Sequence, residues 1–280
     1  MNGKALKIVN TVFFAAMIII TVLANVIPIG IGTAAEISEK YPNLFIPAPF
    51  TFAITGVIYL LMALFVLYQW GLFGSRYMSE RDTERIGIWF AFSCAMNIGW
   101  VISWNSNLIA LSLVFTAGLL ASLAVIGRKI NRNERTGLGY AAVNVGFDTY
   151  LGWAIAAFAA NAGVLLVSIG WNGFGLSETT WTSIILMTVA VAGSLPVLIG
   201  RKWFASFALI WAYAGLLARH VGMTEFAGEY PTIITFSITG IIVMTLALTI
   251  KSIAVDYRDS IFEYPNYTYY GGYYEKYNHV

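Results

Sequence analysis

The sequence has few charged residues and very few of the side chains on which metal and disulfide chemistry depends. Asp, Glu, Lys and Arg make up 11% of the chain, whereas a soluble domain carries about a quarter charged residues. The single cysteine, Cys94, cannot form an intramolecular disulfide, and the two histidines, His220 and His279, do not form a metal-binding cluster. A net charge of +2 without basic runs predicts no nucleic-acid partner. Composition therefore argues against a soluble domain.

Long apolar runs are what the chain has instead. Hydrophobic residues make up 59% of it and the mean hydropathy is +0.73. A bilayer core of about 30 Å requires about 20 apolar residues in a helix. The windows that meet this requirement are 7–28, 50–73, 86–104, 107–127, 147–170, 180–200, 203–220 and 231–252. They predict an all-α polytopic membrane helical bundle of eight transmembrane helices, whose first run is too long for a signal peptide and is expected to stay uncleaved.

The basic residues predict the orientation of this bundle. If the N-terminus lies in the cytoplasm, fourteen of the sixteen Lys and Arg residues fall on the cytoplasmic side, and only Lys40 and Arg219 fall outside. Positive charge is retained on the cytoplasmic side of membranes. Both termini are therefore expected in the cytoplasm, with the protein in the plasma (cytoplasmic) membrane. The tyrosine-rich tail, 253–280, is expected to be flexible on the same side.

Ionisable residues are scarce within the predicted spans. No Lys, Arg, Glu or His lies well inside a span, and Asp148 lies only at the edge of the fifth. Retinal proteins need a buried lysine, and ion-coupled pumps and transporters use buried ionisable relays, so both classes are disfavoured. No nucleophile with a base and no glycine-rich phosphate loop is recognisable. We predict no catalytic residue, no metal ligand and no required cofactor, although an enzyme acting on a lipid or a porphyrin stays open.

The predicted interior is rich in amide and aromatic side chains. Asn25, Asn97, Asn161, Trp100, Tyr150, Trp153, Trp211 and Tyr213 lie within the spans. Six other tryptophans lie near helix ends, as is typical of interfacial anchors: Trp70, Trp89, Trp104, Trp171, Trp181 and Trp203. A buried asparagine in a membrane most often forms a hydrogen bond between helices, worth about 1 kcal/mol. The alternative is a cavity in which aromatic faces hold a flat apolar ligand and amides orient it.

Three motifs resemble those of the translocator-protein family (TspO/MBR, the tryptophan-rich sensory proteins). Asn97–Trp100 reads Asn-Ile-Gly-Trp and resembles the family's Asn-x-x-Trp motif. Tyr150–Trp153 reads Tyr-Leu-Gly-Trp, with Asn161 further on, and resembles Pro-Tyr-Leu-x-Trp…Ala…Asn. Pro47–Phe52, followed by Tyr59, is similar to Pro-Pro-x-Trp-x-Phe…Tyr. The chain departs from the pattern at Thr55, where a tryptophan is expected, and at Thr149, where a proline is expected.

The resemblance implies a fold and a division of the chain. Residues 1–172 would form a TspO-like five-helix membrane bundle, and residues 173–252 would add three transmembrane helices. In the family a tryptophan-lined pocket binds porphyrins, sterols and synthetic aromatic ligands, and the loop after the first helix closes it. Here that loop would be about 29–47, on the outer side.

The same resemblance implies a function and a site. We expect a membrane receptor or sensor for a hydrophobic planar ligand, porphyrin-like or sterol-like; the alternative is an uncoupled transporter or exporter of a small lipophilic solute. The expected ligand-binding residues are Asn97, Trp100, Tyr150, Trp153, Asn161, Phe52 and Tyr59. Trp100, Tyr150 and Trp153 would stack on the ligand, and the two asparagines would orient it. The expected partners are the lipid bilayer and a hydrophobic small molecule, with a tetrapyrrole or lipid as the bound group, and small-residue helix faces are compatible with a homodimer.

Overall fold

The computed structural model describes residues 3–26, 30–32, 34–73, 75–130, 135–223, 225–262, 267–270 and 273–276. The helices are α1 Gly3–Val26, α2 Ala34–Glu39, α3 Ile54–Gln69, α4 Arg76–Ile86, α5 Trp89–Asn105, α6 Ile109–Lys129, α7 Gly137–Tyr140, α8 Gly146–Ser168, α9 Glu178–Gly200, α10 Trp203–Val221 and α11 Pro231–Phe262. A 3-10 turn, Pro49–Ala53, leads into α3, and a π-helical turn, Ala141–Val145, joins α7 to α8. Strands β1 Tyr267–Tyr270 and β2 Tyr273–Lys276 form an antiparallel hairpin.

The long helices confirm the predicted all-α polytopic membrane bundle. Within the described ranges, seven helical stretches are long and apolar enough to cross a bilayer: Gly3–Ala24, Pro49–Gln69, Ile109–Lys129, Gly137–Ser168, Glu178–Gly200, Trp203–Val221 and Pro231–Tyr257. The remaining predicted span, 86–104, corresponds to α5, which has 17 residues and is therefore about 26 Å long. It follows α4 after a bend of 57°, so the pair counts as an eighth, broken span.

Two features differ from the sequence-based boundaries. Helix α4 was not predicted, because its composition is polar, yet it buries Ser79, Asp82, Thr83 and Ile86 on one side. Helix α11 continues to Phe262 rather than ending at 252, because the chain has neither glycine nor proline between Gly240 and Pro265 to stop it. The start of the predicted tail is therefore helical.

The two largest clusters of the apolar interior meet at one tryptophan. The first cluster, which includes Phe65, Phe90 and Phe147, lies among α1, α3, α5, α6 and α8. The second, which includes Leu186 and Leu209, lies among α8, α9, α10 and α11. Trp153 packs against both. Helix α8 is therefore shared, and the division of the chain at residue 172 stays a prediction.

The chain between α1 and α3 covers one end of the bundle, at the turn between α5 and α6. Gly30, in a left-handed conformation with φ of 99°, lies so close to the backbone of Asn105 that a side chain would overlap it. The Ile31 amide donates to the Asn105 carbonyl at 2.9 Å. On α2, Ile37 is completely buried against Trp104 and its neighbours. This end, which also holds the α8–α9 and α10–α11 connections, corresponds to the predicted outer side.

Candidate functional site

Four polar side chains form a hydrogen-bonded chain across the first cluster. The Asn97 amide Nδ2 donates to the Tyr150 hydroxyl at 2.9 Å, and the Tyr59 hydroxyl donates to Asn97 Oδ1 at 3.5 Å. Thr21 Oγ1 lies 3.4 Å from the same Tyr59 hydroxyl. Asn97 and Tyr150 are 6% and 3% exposed. One carboxamide on α5 thus connects α3 with α8, and Tyr59 extends the chain to α1.

Aromatic rings lie one helical turn further toward the outer end. Trp100 follows Asn97 by three residues and Trp153 follows Tyr150 by three, so each lies on the same face as its polar neighbour. The Phe52 ring meets the Trp153 ring edge-on, with centroids 5.9 Å apart and planes at 89°. The structure therefore brings five of the predicted site residues into one region, with the rings above the amide: Phe52, Tyr59, Asn97, Tyr150 and Trp153. Trp100 packs against a separate cluster that includes Ile37, Trp104 and Val164.

Trp100 has a buried donor that the surrounding residues do not use. Its indole N–H is buried, and no described residue accepts a hydrogen bond from it. Its ring stacks on Trp104 at 5.9 Å and 27°. Trp104, expected as an interfacial anchor, is only 6% exposed, because α2 covers it. A buried N–H without an acceptor costs free energy, and a carbonyl, carboxylate or hydroxyl of a ligand would satisfy it.

The outer half of α3 is open beside these rings. Tyr59, Trp100 and Trp153 are half-buried, and Phe52 is 49% exposed. A side chain added at Gly56 would meet nothing within 4 Å. By contrast, Phe65 and Tyr68 at the other end of the same helix are 0% and 1% exposed. The aromatic residues at the outer end are therefore the ones that another molecule can reach.

Asn161 lies apart from this group. Its Nδ2 donates to Ser112 Oγ at 3.0 Å and to Thr116 Oγ1 at 3.4 Å, and its Oδ1 accepts from Ser112 Oγ at 3.2 Å. The side chain is 2% exposed, so its amide is occupied in joining α8 to α6. This is the interhelical role that the sequence left open for every buried asparagine. Its part in ligand binding stays a prediction.

A buried ion pair at the opposite end escaped the sequence analysis. Arg135 Nε donates to Asp82 Oδ2 at 2.5 Å, and its Nη2 donates to Asp82 Oδ1. Both side chains are almost fully buried, at 2% and 0% exposed. Tyr68 donates to the same carboxylate at 2.8 Å, and Arg135 Nη1 donates to Asn144 Oδ1 at 3.2 Å, from the π-helical turn. Although burial lowers the pKa of Arg135, its bonds to Asp82 outweigh this and raise the pKa, so the guanidinium stays charged.

A second opening lies between α9 and α11. It has a volume of about 440 Å³ and is lined by Thr180, Ser183, Ile184, Met187, Thr188, Thr232 and Phe236. The hydroxyls of Ser183 and Thr188 donate to carbonyls of their own helix, at Thr179 and Ile184. The lining is therefore mainly apolar. The hydroxyls of Ser183 and Thr188 already have acceptors, so neither is free to donate to a ligand. It shares no residue with the aromatic group on α3, α5 and α8.

Comparison with known proteins places the chain in a family context. A family model described as TSPO-like protein matches residues 7–250. The matched range extends over α9, α10 and most of α11 as well as the first five spans. No curated protein and no solved structure matches the chain. In the part of the chain that the structure describes, no three His, Cys, Asp or Glu side chains lie together as a metal site would require.

Proposed function

This chain belongs to the TSPO-like protein family, and on that premise we propose that it is a receptor or sensor for a flat hydrophobic molecule. It is an integral, multi-pass membrane protein, and its family is one of membrane ligand-binding and sensory proteins. The proposed ligand is porphyrin-like or sterol-like and binds beside the outer halves of α3, α5 and α8. Tyr59, Asn97 and Tyr150 form the floor of this site, and Phe52, Trp100 and Trp153 form its aromatic wall.

The observation that carries the proposal is the Asn97 bridge beneath two tryptophans. Indole rings favour stacked or edge-on contacts with other aromatic systems at centroid distances of about 4.5–7 Å. The unpaired Trp100 N–H supplies a single orienting donor. Apolar walls with a few directed polar groups are typical of small-molecule sites. A large, flat and mostly uncharged ligand suits this set of side chains.

Replacing Trp153 tests the site. Trp153→Ala removes the ring that contacts Phe52, and we expect it to weaken binding of protoporphyrin IX by about 5- to 150-fold, since a lost aromatic contact of this size costs on the order of 1–3 kcal/mol. The matched control is Trp181→Ala at the outer end of α9, where the indole contacts Trp171 at a centroid distance of 4.7 Å. Titration of each variant in lipid nanodiscs gives the affinities. Equal losses in the two variants would contradict the proposed site.

The alternative, an uncoupled transporter of a small lipophilic solute, keeps one supporting observation. Two apolar clusters meet at Trp153, and a contact between two packed groups of helices is where a rocking motion would occur. Uptake of the probe into proteoliposomes separates the functions. Flux that Trp153→Ala abolishes would favour transport over sensing.

We also propose that both termini lie in the cytoplasm and that the membrane is the plasma membrane. Lys7 Nζ lies 3.8 Å from Glu80 Oε1, so the start of α1 and helix α4, which carries three arginines, share one end of the bundle. The ends of α6 and α9, with Arg128, Lys129 and Arg201, lie there as well, by the direction of these helices. Retention of positive charge places this end inside the cell.

A further inference from the structure

The segment 43–51, which we term the cover segment, runs along one face of α10. Trp211, Gly215 and Arg219 are spaced four residues apart and therefore lie on one side of this helix, with His220 beside them. Each of the four forms a hydrogen bond with the backbone of the cover segment. The bonds are Trp211 Nε1 to the Thr51 carbonyl at 2.8 Å, the Ala48 amide to the Gly215 carbonyl at 3.0 Å, Arg219 Nη1 to the Pro47 carbonyl at 3.4 Å, and His220 Nε2 with the Leu44 carbonyl at 2.9 Å.

Gly215 allows the backbones to approach each other. A Cβ at this position would overlap the Thr51 side chain, so any larger residue would push the cover segment away from α10. The Gly215 carbonyl lies in a helix, but a carbonyl oxygen has two lone pairs and can accept a second hydrogen bond. The hydrogen bond from Ala48 to Gly215 therefore requires glycine because a side chain would collide with Thr51. It does not require a backbone conformation that only glycine adopts.

The polar side chains of this face are held in place by the α10–α11 connection. Arg219 Nε lies 2.7 Å from Glu225 Oε2, and its guanidinium lies 5.6 Å from the centre of the Phe226 ring. His220 is completely buried and stacks on Phe226 with centroids 4.6 Å apart. Both side chains therefore reach the cover segment from fixed positions, which favours a persistent contact over a transient one.

The cover segment leads directly into the aromatic wall. Thr51, whose carbonyl Trp211 binds, precedes Phe52, and the ring of Phe52 lies edge-on against Trp153. Phe50 on the other side of Thr51 meets the Trp211 ring at 5.7 Å and 84°. The Phe52 ring thus covers part of the Trp153 ring. Moving the cover segment away from α10 would withdraw Phe52 and expose Trp153.

We propose that Trp211, Gly215, Arg219 and His220 are positioning residues through which α10 holds the cover segment over the aromatic site and controls access to it. The ligand in this inference rests on the proposed function. The contact between α10 and the cover segment does not depend on that function. It assigns a role in the site to a helix that the motifs of the sequence did not connect with it.

Amide hydrogen exchange tests whether α10 holds the segment. The variants are Trp211→Phe, which removes the indole donor, and Gly215→Ala, which adds a methyl group against Thr51. In nanodiscs without ligand we expect the amides of 44–52 to exchange about tenfold faster in both, since each lost hydrogen bond contributes roughly a factor of ten to protection. The controls are Trp203→Phe on the same helix and Gly200→Ala, where the methyl group meets only the Lys202 side chain. Unchanged exchange in Trp211→Phe would overturn the proposal, even if Gly215→Ala does not fold.

Binding kinetics test whether the segment controls access. With protoporphyrin IX as the probe, we expect Trp211→Phe to raise the association and dissociation rate constants by about the same factor, because it loosens the segment that covers the site and leaves the Trp153 ring in place. Trp153→Ala should raise mainly the dissociation rate constant. Faster amide exchange with unchanged probe kinetics would overturn control of access. If the wild-type protein does not bind the probe, the proposed function fails, and the exchange experiment alone still decides whether α10 holds the segment.

Discussion

Asn97 shows how a single carboxamide can organise three helices in an apolar interior. Its oxygen accepts from Tyr59 and its nitrogen donates to Tyr150, so neither amide group is left without a partner. The motifs assigned Asn97 and Tyr150 to one ligand site, and the hydrogen bond between them was not predicted. The unused N–H of Trp100 could not be predicted, because an absent acceptor depends on the position of every neighbour and not on local sequence.

The Asp82–Arg135 pair is the residue-scale feature that the sequence concealed. The two residues are 53 positions apart and lie in segments that read as connections. Their charges favoured the interpretation that those segments are exposed to solvent. In the structure the two opposite charges pair with each other, which offsets the cost of burying them. Neither hydropathy nor spacing reports such a pairing.

Removing one member of this pair should destabilise the protein strongly. Asp82→Asn leaves the buried Arg135 guanidinium without a counter-charge, and loss of one partner of a buried pair costs on the order of 3–5 kcal/mol. Glu80→Gln on the same helix is the matched control, because the Glu80 carboxylate, which pairs with Arg76 and with Lys7, is 48% exposed and exposed pairs contribute about 0–1 kcal/mol each. Thermal unfolding followed by helicity in detergent measures both. A melting temperature for Asp82→Asn equal to that of Glu80→Gln would show that the pair is not needed for stability.

At the scale of elements, hydropathy predicts what faces lipid and fails where polar groups are buried. Seven apolar windows correspond to long helices because their apolar residues cover most of the helix surface. Helix α4 was missed because its buried side is made of Ser79, Asp82 and Thr83, which no apolar pattern marks. The π-helical turn Ala141–Val145 was missed as well, since only the structure shows that it brings Asn144 to Arg135.

Cysteine labelling tests the proposed orientation of these elements. The native Cys94 is 1% exposed, so a membrane-impermeant maleimide should not react with it. Tyr77 on α4 is 70% exposed and Met223 after α10 is 93% exposed, so each can carry an introduced cysteine. We expect Met223→Cys to be labelled in intact cells and Tyr77→Cys only after permeabilisation. Labelling in the reverse order would place both termini outside.

At the scale of the whole molecule, the last three long helices pack against α8 and are not simply appended. The variable position of the Tyr150–Trp153 motif is Gly152, and a Cβ there would overlap the Ala205 backbone of α10. The same helix binds the cover segment, and the second apolar cluster includes Leu44 and Phe45 from it. The motifs predicted the site residues on α3, α5 and α8. The contacts of α10 could not be predicted, because its side chains bond to backbone carbonyls of a distant segment, and a backbone acceptor leaves no motif.

A chain that ends at residue 172 tests whether the first five spans form an independent unit. Without α9 to α11, the α8 face that includes Ala156 loses its packing partners, and the amide of Ala48 loses the Gly215 carbonyl. We expect this fragment to insert into membranes but to unfold at lower temperature and to bind protoporphyrin IX at least about tenfold more weakly, since several hydrogen bonds and a buried apolar face are lost together. A chain that ends at residue 257 keeps all the long spans and should match the full-length protein in both measurements. Full affinity in the shorter fragment would mean that α10 is dispensable and that the division at residue 172 separates two independent units.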